Sequence, residues 1–215
     1  MKTSISAIGK LLVLVLVLII ITSSRKTAKA AEPTTTTLLA GVKNISKIEV
    51  SGNVEVLLSQ QAEEQLKVYD EYYSKNALVQ WEDGVLRISS YEKKKLTVLI
   101  GVNHLKVLVA SGDAVVRSVN KLSSLDLDVY LKDNAVASLN AQALNMSTTL
   151  SDNTRLELSG EAENQFIALS EASQLDAGSF EARNQTFSVS DSAIAAVGST
   201  EVRSAALLTG GSRSL

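Results

Sequence analysis

Residues 150–160 read LSDNTRLELSG. Apolar and polar residues alternate on both sides of a short polar interruption, Ser151-Asp152-Asn153. Alternation of period two marks a strand with one buried face. Asp and Asn form turns because their side chains hydrogen-bond nearby backbone and because they tolerate left-handed φ. The stretch therefore predicts strand, tight corner, strand. Whether its acid is a site or a requirement of the corner depends on whether the stretch is unique.

It is not unique. The residue opening each polar corner gives the markers Ser111, Lys132, Ser151, Ser170, Ser190 and Thr209, at steps of 21, 19, 19, 20 and 19. Ser51 is an earlier copy, separated from the rest by the longer 52–110 region. An apolar residue precedes every marker: Val50, Ala110, Leu131, Leu150, Leu169, Val189 and Leu208. Three residues after it stand Val54, Ala114, Ala135, Thr154, Ser173, Ala193 and Ser212, mostly small. Five after it stand Val56, Val116, Ala137, Leu156, Leu175, Ala195 and Ser214, while the position between varies freely. Such columns predict a chain that circles once in each step of about 20 residues and rests on itself. Each strand would then pair with its copies at about 4.8 Å. The expected fold is all-β, a right-handed parallel β-helix, with irregular strands or a capping hairpin within 57–105. An antiparallel β-sandwich is the alternative, but it does not explain why columns one period apart agree in size.

Outside the columns, Asp83-Gly84 between two β-prone runs predicts a hairpin turn. The only competitor for a helix is the short SQQAEEQLKV, residues 59–68.

The N-terminus has the order of a secretory signal: Lys2 and Lys10, the apolar run LLVLVLVLIII at 11–21, and Ala28-Lys29-Ala30 as a small-x-small cleavage site. Residues 1–30 are expected to be a cleaved signal peptide, with an uncleaved anchor as the alternative. Residues 31–41 are expected to be a flexible lead-in, and 42–215 a single domain. Losing five basic residues from 21 leaves 16 against 23 acidic ones, a net charge of −7. That argues against a nucleic-acid or anionic-membrane surface. The expected address is the periplasm or the cell surface.

With these features the chain resembles the head GIN domain family of exported bacterial auto-transporter adhesins. The likeness rests on ISKIEVSGNVEVLLSQ (45–60), WEDGVLRIS (81–89), VLVASGDAVV (107–116) and LELSGEAENQFIALSEAS (156–173). It covers about residues 42–215 and implies an exported β-helix with no catalytic residues to carry over. Family corners usually read Ser-Gly-Ser-Gly-Asp. This chain departs from that pattern at Lys132-Asp133-Asn134, Ser151-Asp152-Asn153 and Ser190-Asp191-Ser192.

Candidate chemistry is sparse. The chain has no Cys and a single His, His104, which removes thiol chemistry and His-rich metal centres. His104 lies in a strand-like run, IGVNHLKVLV, and is expected to be an outward strand residue. The corner acids Asp113, Asp133, Asp152, Glu171 and Asp191 would stack, as a calcium ladder needs or as paired sugar-cleaving carboxylates need. The simpler reading is structural, since corners require such residues and the double-glycine calcium repeat is absent. Tyr69, Tyr72, Tyr73, Trp81 and Tyr91 hold most of the aromatics and are the candidate binding surface. YEKKKL (91–96) is expected to be a solvated strand end or turn, and the triplets at Asn44, Asn145 and Asn184 are assigned no role. The expected function is a non-catalytic structural or binding module of the envelope, with no cofactor. Its partner class is an envelope glycan or protein. A carbohydrate-active enzyme and a calcium-stabilised adhesin are the alternatives.

Overall fold

The computed structural model describes residues 37–39, 41–69, 77–198, 200–203 and 208–211. The leader expected at 1–30, most of the lead-in, and Tyr72 and Tyr73 lie outside the described residues. Among those described there are strands and turns and no helix. The fold is all-β, a curled open sheet of mixed strands. Ten strand pairings are parallel and five antiparallel among the described residues, which is not the antiparallel sandwich.

The central strands are β2 (Lys47–Gly52), β8 (Val107–Ser111), β10 (Leu122–Leu131), β11 (Val136–Leu150), β12 (Arg155–Leu169) and β13 (Gln174–Val189). Along them Val50 pairs with Ala110, then Ala110 with Leu131, Leu131 with Leu150, Leu150 with Leu169 and Leu169 with Val189. All six are 5% exposed or less. Beyond the corner, β3 (Val54–Gln60), β9 (Val115–Ser118) and β14 (Ile194–Val197) extend a second column. There Val56, Val116, Ala137, Leu156, Leu175 and Ala195 pair in succession. These six are at most 2% exposed. The alternation decides which residues these are, because a strand sends successive side chains to opposite faces.

Three expectations are corrected. The stretch 57–105 is more regular than its sequence implies. Asp83 (φ 48°) and Gly84 (φ 78°) make the expected hairpin between β5 (Ala77–Glu82) and β6 (Val85–Ser90). The two positive φ values are those a two-residue hairpin turn requires. After that reversal β6 runs parallel to β2, and β7 (Leu96–Val102) parallel to β3, so this region lays down a full parallel layer. The competing segment 59–68 ends β3, turns, and enters β4 (Gln65–Val68), antiparallel to β7.

The seventh copy, at Thr209, does not stack. The chain turns at Gly198 and β15 (Thr200–Arg203) runs back along β14. β16 (Leu208–Gly211) is antiparallel to β13, and Leu208 pairs with Phe187 rather than Val189. The reversal at Gly198 prevents another parallel strand from forming there. Part of the expected flexible lead-in is also ordered: β1 (Thr37–Leu39) pairs antiparallel with β4, where hydrogen bonding to an open edge holds it.

Truncating Leu150 tests the columns. Leu150→Ala should cost about 2–5 kcal/mol of stability, for lost burial plus the cavity left behind. Gln174→Ala, on the outward side, should stay within about 0.5 kcal/mol. Denaturant unfolding measures both, and a Leu150→Ala chain as stable as the parent would place that column outside the core.

Candidate functional surface

The corners show what their acids do. Gly112, Asp133, Asp152, Glu171 and Asp191 all have positive φ, between 57° and 67°. Each side chain reaches back one strand. Asp133 Oδ2 accepts the Gly112 N–H at 3.0 Å, Asp152 Oδ2 the Asp133 N–H at 3.0 Å, Glu171 Oε2 the Asp152 N–H at 2.5 Å, and Asp191 Oδ2 the Glu171 N–H at 3.3 Å. The acids are thus both the left-handed residue and the acceptor that satisfies the next corner's donor. Two corners use glycine because the chains approach too closely for a side chain: a Cβ on Gly52 would stand 2.2 Å from the Ser90 carbonyl oxygen. Asp113 does not belong to this column. It stands one position on, where its Oδ1 accepts from Asn134 Nδ2 at 3.2 Å. Behind the corners, the buried hydroxyls of Thr154 and Ser173 donate to the carbonyls of Ser151 and Ser170.

A second ladder escaped the sequence reading. Asn145 Nδ2 donates to Asp126 Oδ1 at 2.7 Å, Asn164 Nδ2 to Asn145 Oδ1 at 2.9 Å, and Asn184 Nδ2 to Asn164 Oδ1 at 2.9 Å. Its signal was present as steps of 19, 19 and 20 residues. Asn145 and Asn184 open Asn-x-Ser/Thr triplets and Asn164 does not, so the triplet pattern obscures the column.

The aromatic set is divided. Trp81 sits on β5, 42% exposed, and Tyr91 follows β6, 81% exposed, with its hydroxyl 3.4 Å from Ser51 Oγ. Tyr69 follows β4, on the strand pair at the other end of the sheet path, and donates its backbone N–H to Thr97. The structure does not bring Tyr69 together with Trp81 and Tyr91 on one strand pair. His104 is exposed in the bend after β7 rather than in a strand. It rims a pocket of about 580 Å³ between residues 41–46, 62–64 and 103–106. Within that pocket Glu64 Oε1 accepts the N–H groups of Ile45 (2.9 Å) and Asn103 (3.4 Å), so its carboxylate ties loops together.

The most distinctive surface is the outward wall of β8 and β10–β13. One outward row runs Val107, Asp128, Ser147, Phe166, Thr186; the next runs Val109, Tyr130, Thr149, Ala168, Ser188. Asp128 is the only charged residue among these ten. The row neighbours on β2 and β6 carry charge: two cations, Lys47 and Arg87, share the single carboxylate of Glu49, leaving a net charge of +1. Glu49 receives Lys47 Nζ at 2.6 Å and Arg87 Nε at 2.8 Å, and the Lys47 ammonium beside it holds its carboxyl below the ordinary value, with Arg87 adding to the effect.

A family model described as "Putative auto-transporter adhesin, head GIN domain" matches residues 44–213. The chain belongs to the head GIN domain family. Solved structures share the fold. One from Bacteroides fragilis, described as a putative adhesin, has a TM-score of 0.62 at 17% identity, covering 75% of this chain and 77% of its own. A second, a putative adhesin from Parabacteroides distasonis, has a TM-score of 0.60 at 15% identity, covering 75% and 80%. A third from the same organism, described as a putative lipid binding protein, has a TM-score of 0.56 at 16% identity, covering 76% and 81%. No protein of curated function matches the chain.

The corner ladder has a pH consequence. The Asp133 N–H, then the Ser151 and Glu171 side chains, hold the Asp152 carboxyl below its ordinary value. A lowered folded-state value means stability is present above the unfolded carboxylate range and is lost as pH falls through the folded value. Asp152→Asn should therefore melt with a smaller drop between pH 7 and pH 3 than the parent chain. At neutral pH Asp152→Gly should lie between parent and Asp152→Ala, because glycine keeps the positive φ and loses only the acceptor. Equal melting of the Gly and Ala variants would remove the backbone term.

Proposed function

We propose that this head GIN domain chain is an exported module of the cell envelope or surface, a right-handed parallel β-helix that binds rather than catalyses. The observation that carries the reading is the corner ladder. The carboxylates that stack, and that a metal or sugar-cleaving site would need, are engaged by backbone N–H groups of the neighbouring strand. In-register parallel pairing over successive steps of 19 to 21 residues supports the β-helix. The leader-like residues 1–30 support export, and relatives described as putative adhesins support a binding role. The expected partner is an envelope glycan or envelope protein. Lipid uptake has weaker support, since the inward columns are occupied by the chain's own Leu, Ile and Val side chains.

An epitope-tagged full-length chain in a bacterial host should fractionate with the envelope or the medium. The purified chain should retain an envelope glycan or protein while releasing no product from a polysaccharide panel. Recovery in the cytosol would remove the export reading. Turnover that disappears in an Asp152→Ala/Asp191→Ala variant would replace binding by catalysis.

A further inference from the structure

The outward wall of β8 and β10–β13 has a chemical character that selects among ligands. We infer that it binds an uncharged polysaccharide, with sugar units stacked on Tyr130 and Phe166. The inference rests on the binding-module reading above and specifies its ligand.

Both rings stand on the outward side of their strands. Tyr130 is 41% exposed and Phe166 52%, each flanked in its strand by residues buried to 2% or less. Tyr130 pairs with Thr149, which pairs with Ala168; Phe166 pairs with Ser147, which pairs with Asp128. The rings therefore share one face, two strands apart and offset by two residues. Parallel-sheet spacing puts their Cα atoms about 12 Å apart. At that separation they do not stack on each other, and each offers a free apolar face to a different unit of one extended ligand. Aromatic faces suit the flat apolar C–H side of a sugar ring, as they suit other planar apolar partners.

Around the rings stand Ser147, Thr149, Thr186 and Ser188, outward and half-buried or exposed, with Val109 beside Tyr130 and Ala168 two residues beyond Phe166. Each hydroxyl both donates and accepts, which matches a ligand whose own edges are hydroxyls.

Charge separates the remaining candidates. The chain is 20% charged, yet the two outward rows hold one charge, Asp128. No Lys or Arg stands in them to meet a uronic acid or phosphate, and Asp128 repels both. Lys132 follows Tyr130 by two residues, in the corner region, and lines a depression with Val109, Glu49 and Arg87 at the edge of the wall. On the adjoining β2 and β6, Lys47 and Arg87 both bind Glu49, which leaves one net positive charge beside Val107 and Val109 and outside the rows that carry the rings. A charged protein partner would need complementary charge around the rings, where Asp128 is the one charged residue of the two rows.

Affinity electrophoresis of the full chain tests the assignment, in gels holding mannan, xylan or a β-1,3-glucan, with polygalacturonate as the acidic comparator. At least one neutral gel should retard the parent. Tyr130→Ala and Phe166→Ala should each weaken retention about tenfold, the scale of one ring contact. Phe166→Tyr should keep it, Trp81→Ala should leave it unchanged, and all should melt like the parent. Preferential retention by polygalacturonate overturns the inference. So does neutral-glycan binding that survives in the Tyr130→Ala/Phe166→Ala chain, which leaves the binding module standing with its ligand elsewhere. Capture of an envelope protein with no glycan retained has the same effect. No retention by any glycan or envelope protein removes both readings.

Discussion

The structure depends on the left-handed residue at each corner. A chain that lies beside itself at intervals of 19 to 21 residues must turn sharply at the same place each time, or the alternation loses register. A slip of one residue would send Leu150 to solvent and bring Thr149 inside. The corner prevents this in two ways. Positive φ at Asp133, Asp152, Glu171 and Asp191 sets the direction of the turn. The carboxylate of each residue then holds the backbone N–H of the one before, so adjacent corners are locked to each other as well as to their own strands. The Asp126–Asn145–Asn164–Asn184 ladder ties the same strands together at the start of the next straight run.

This arrangement divides the residues by task. Inward columns are committed to packing, and the two polar ladders to holding the corners in register. Only outward positions can change without disturbing the stack. The variable position between the small and apolar columns is of this kind: Arg155 and Gln174 are exposed there, and Glu55 is half-buried in an ion pair with Arg117. The wall carrying Tyr130 and Phe166 is also outward. Its aromatic, hydroxyl-rich composition is thus not imposed by the fold, and that is why it is informative about ligand.

The inward columns were legible in the sequence because repetition multiplies a weak signal. One apolar residue before a polar pair means little, but Val50, Ala110, Leu131, Leu150, Leu169 and Val189 at matching offsets mean a shared environment. The same logic misled at Leu208, where an apolar residue before Gly210-Gly211 fell at the right interval. Interval alone cannot show that the chain reverses at Gly198 first. The layer made by β6 and β7 was hidden for the opposite reason, since a hairpin inserted between copies breaks the interval while preserving the pairing. The outward wall was not legible at all. Tyr130 and Phe166 are 36 residues apart and share a face only once two successive strand registers are known. Tyr69 and Trp81 are 12 residues apart in sequence, yet Tyr69 follows β4 and Trp81 lies on β5. Clustering in sequence does not place side chains on one surface when the chain changes strand between them.

The ends of the sheet bear on where a partner can dock. A parallel stack exposes unpaired N–H and C=O groups at its terminal strands, a template for unwanted pairing with other chains. Here the terminal positions are taken by short antiparallel strands: β4 and β1 beyond β7, β5 beyond β6, β15 beyond β14 and β16 beyond β13. Three- and four-residue strands such as β1, β15 and β16 offer little length for an added strand to pair with. An extended polysaccharide needs no backbone partner. It needs an outward face of repeating strand spacing, which β8 and β10–β13 supply and the short terminal strands do not.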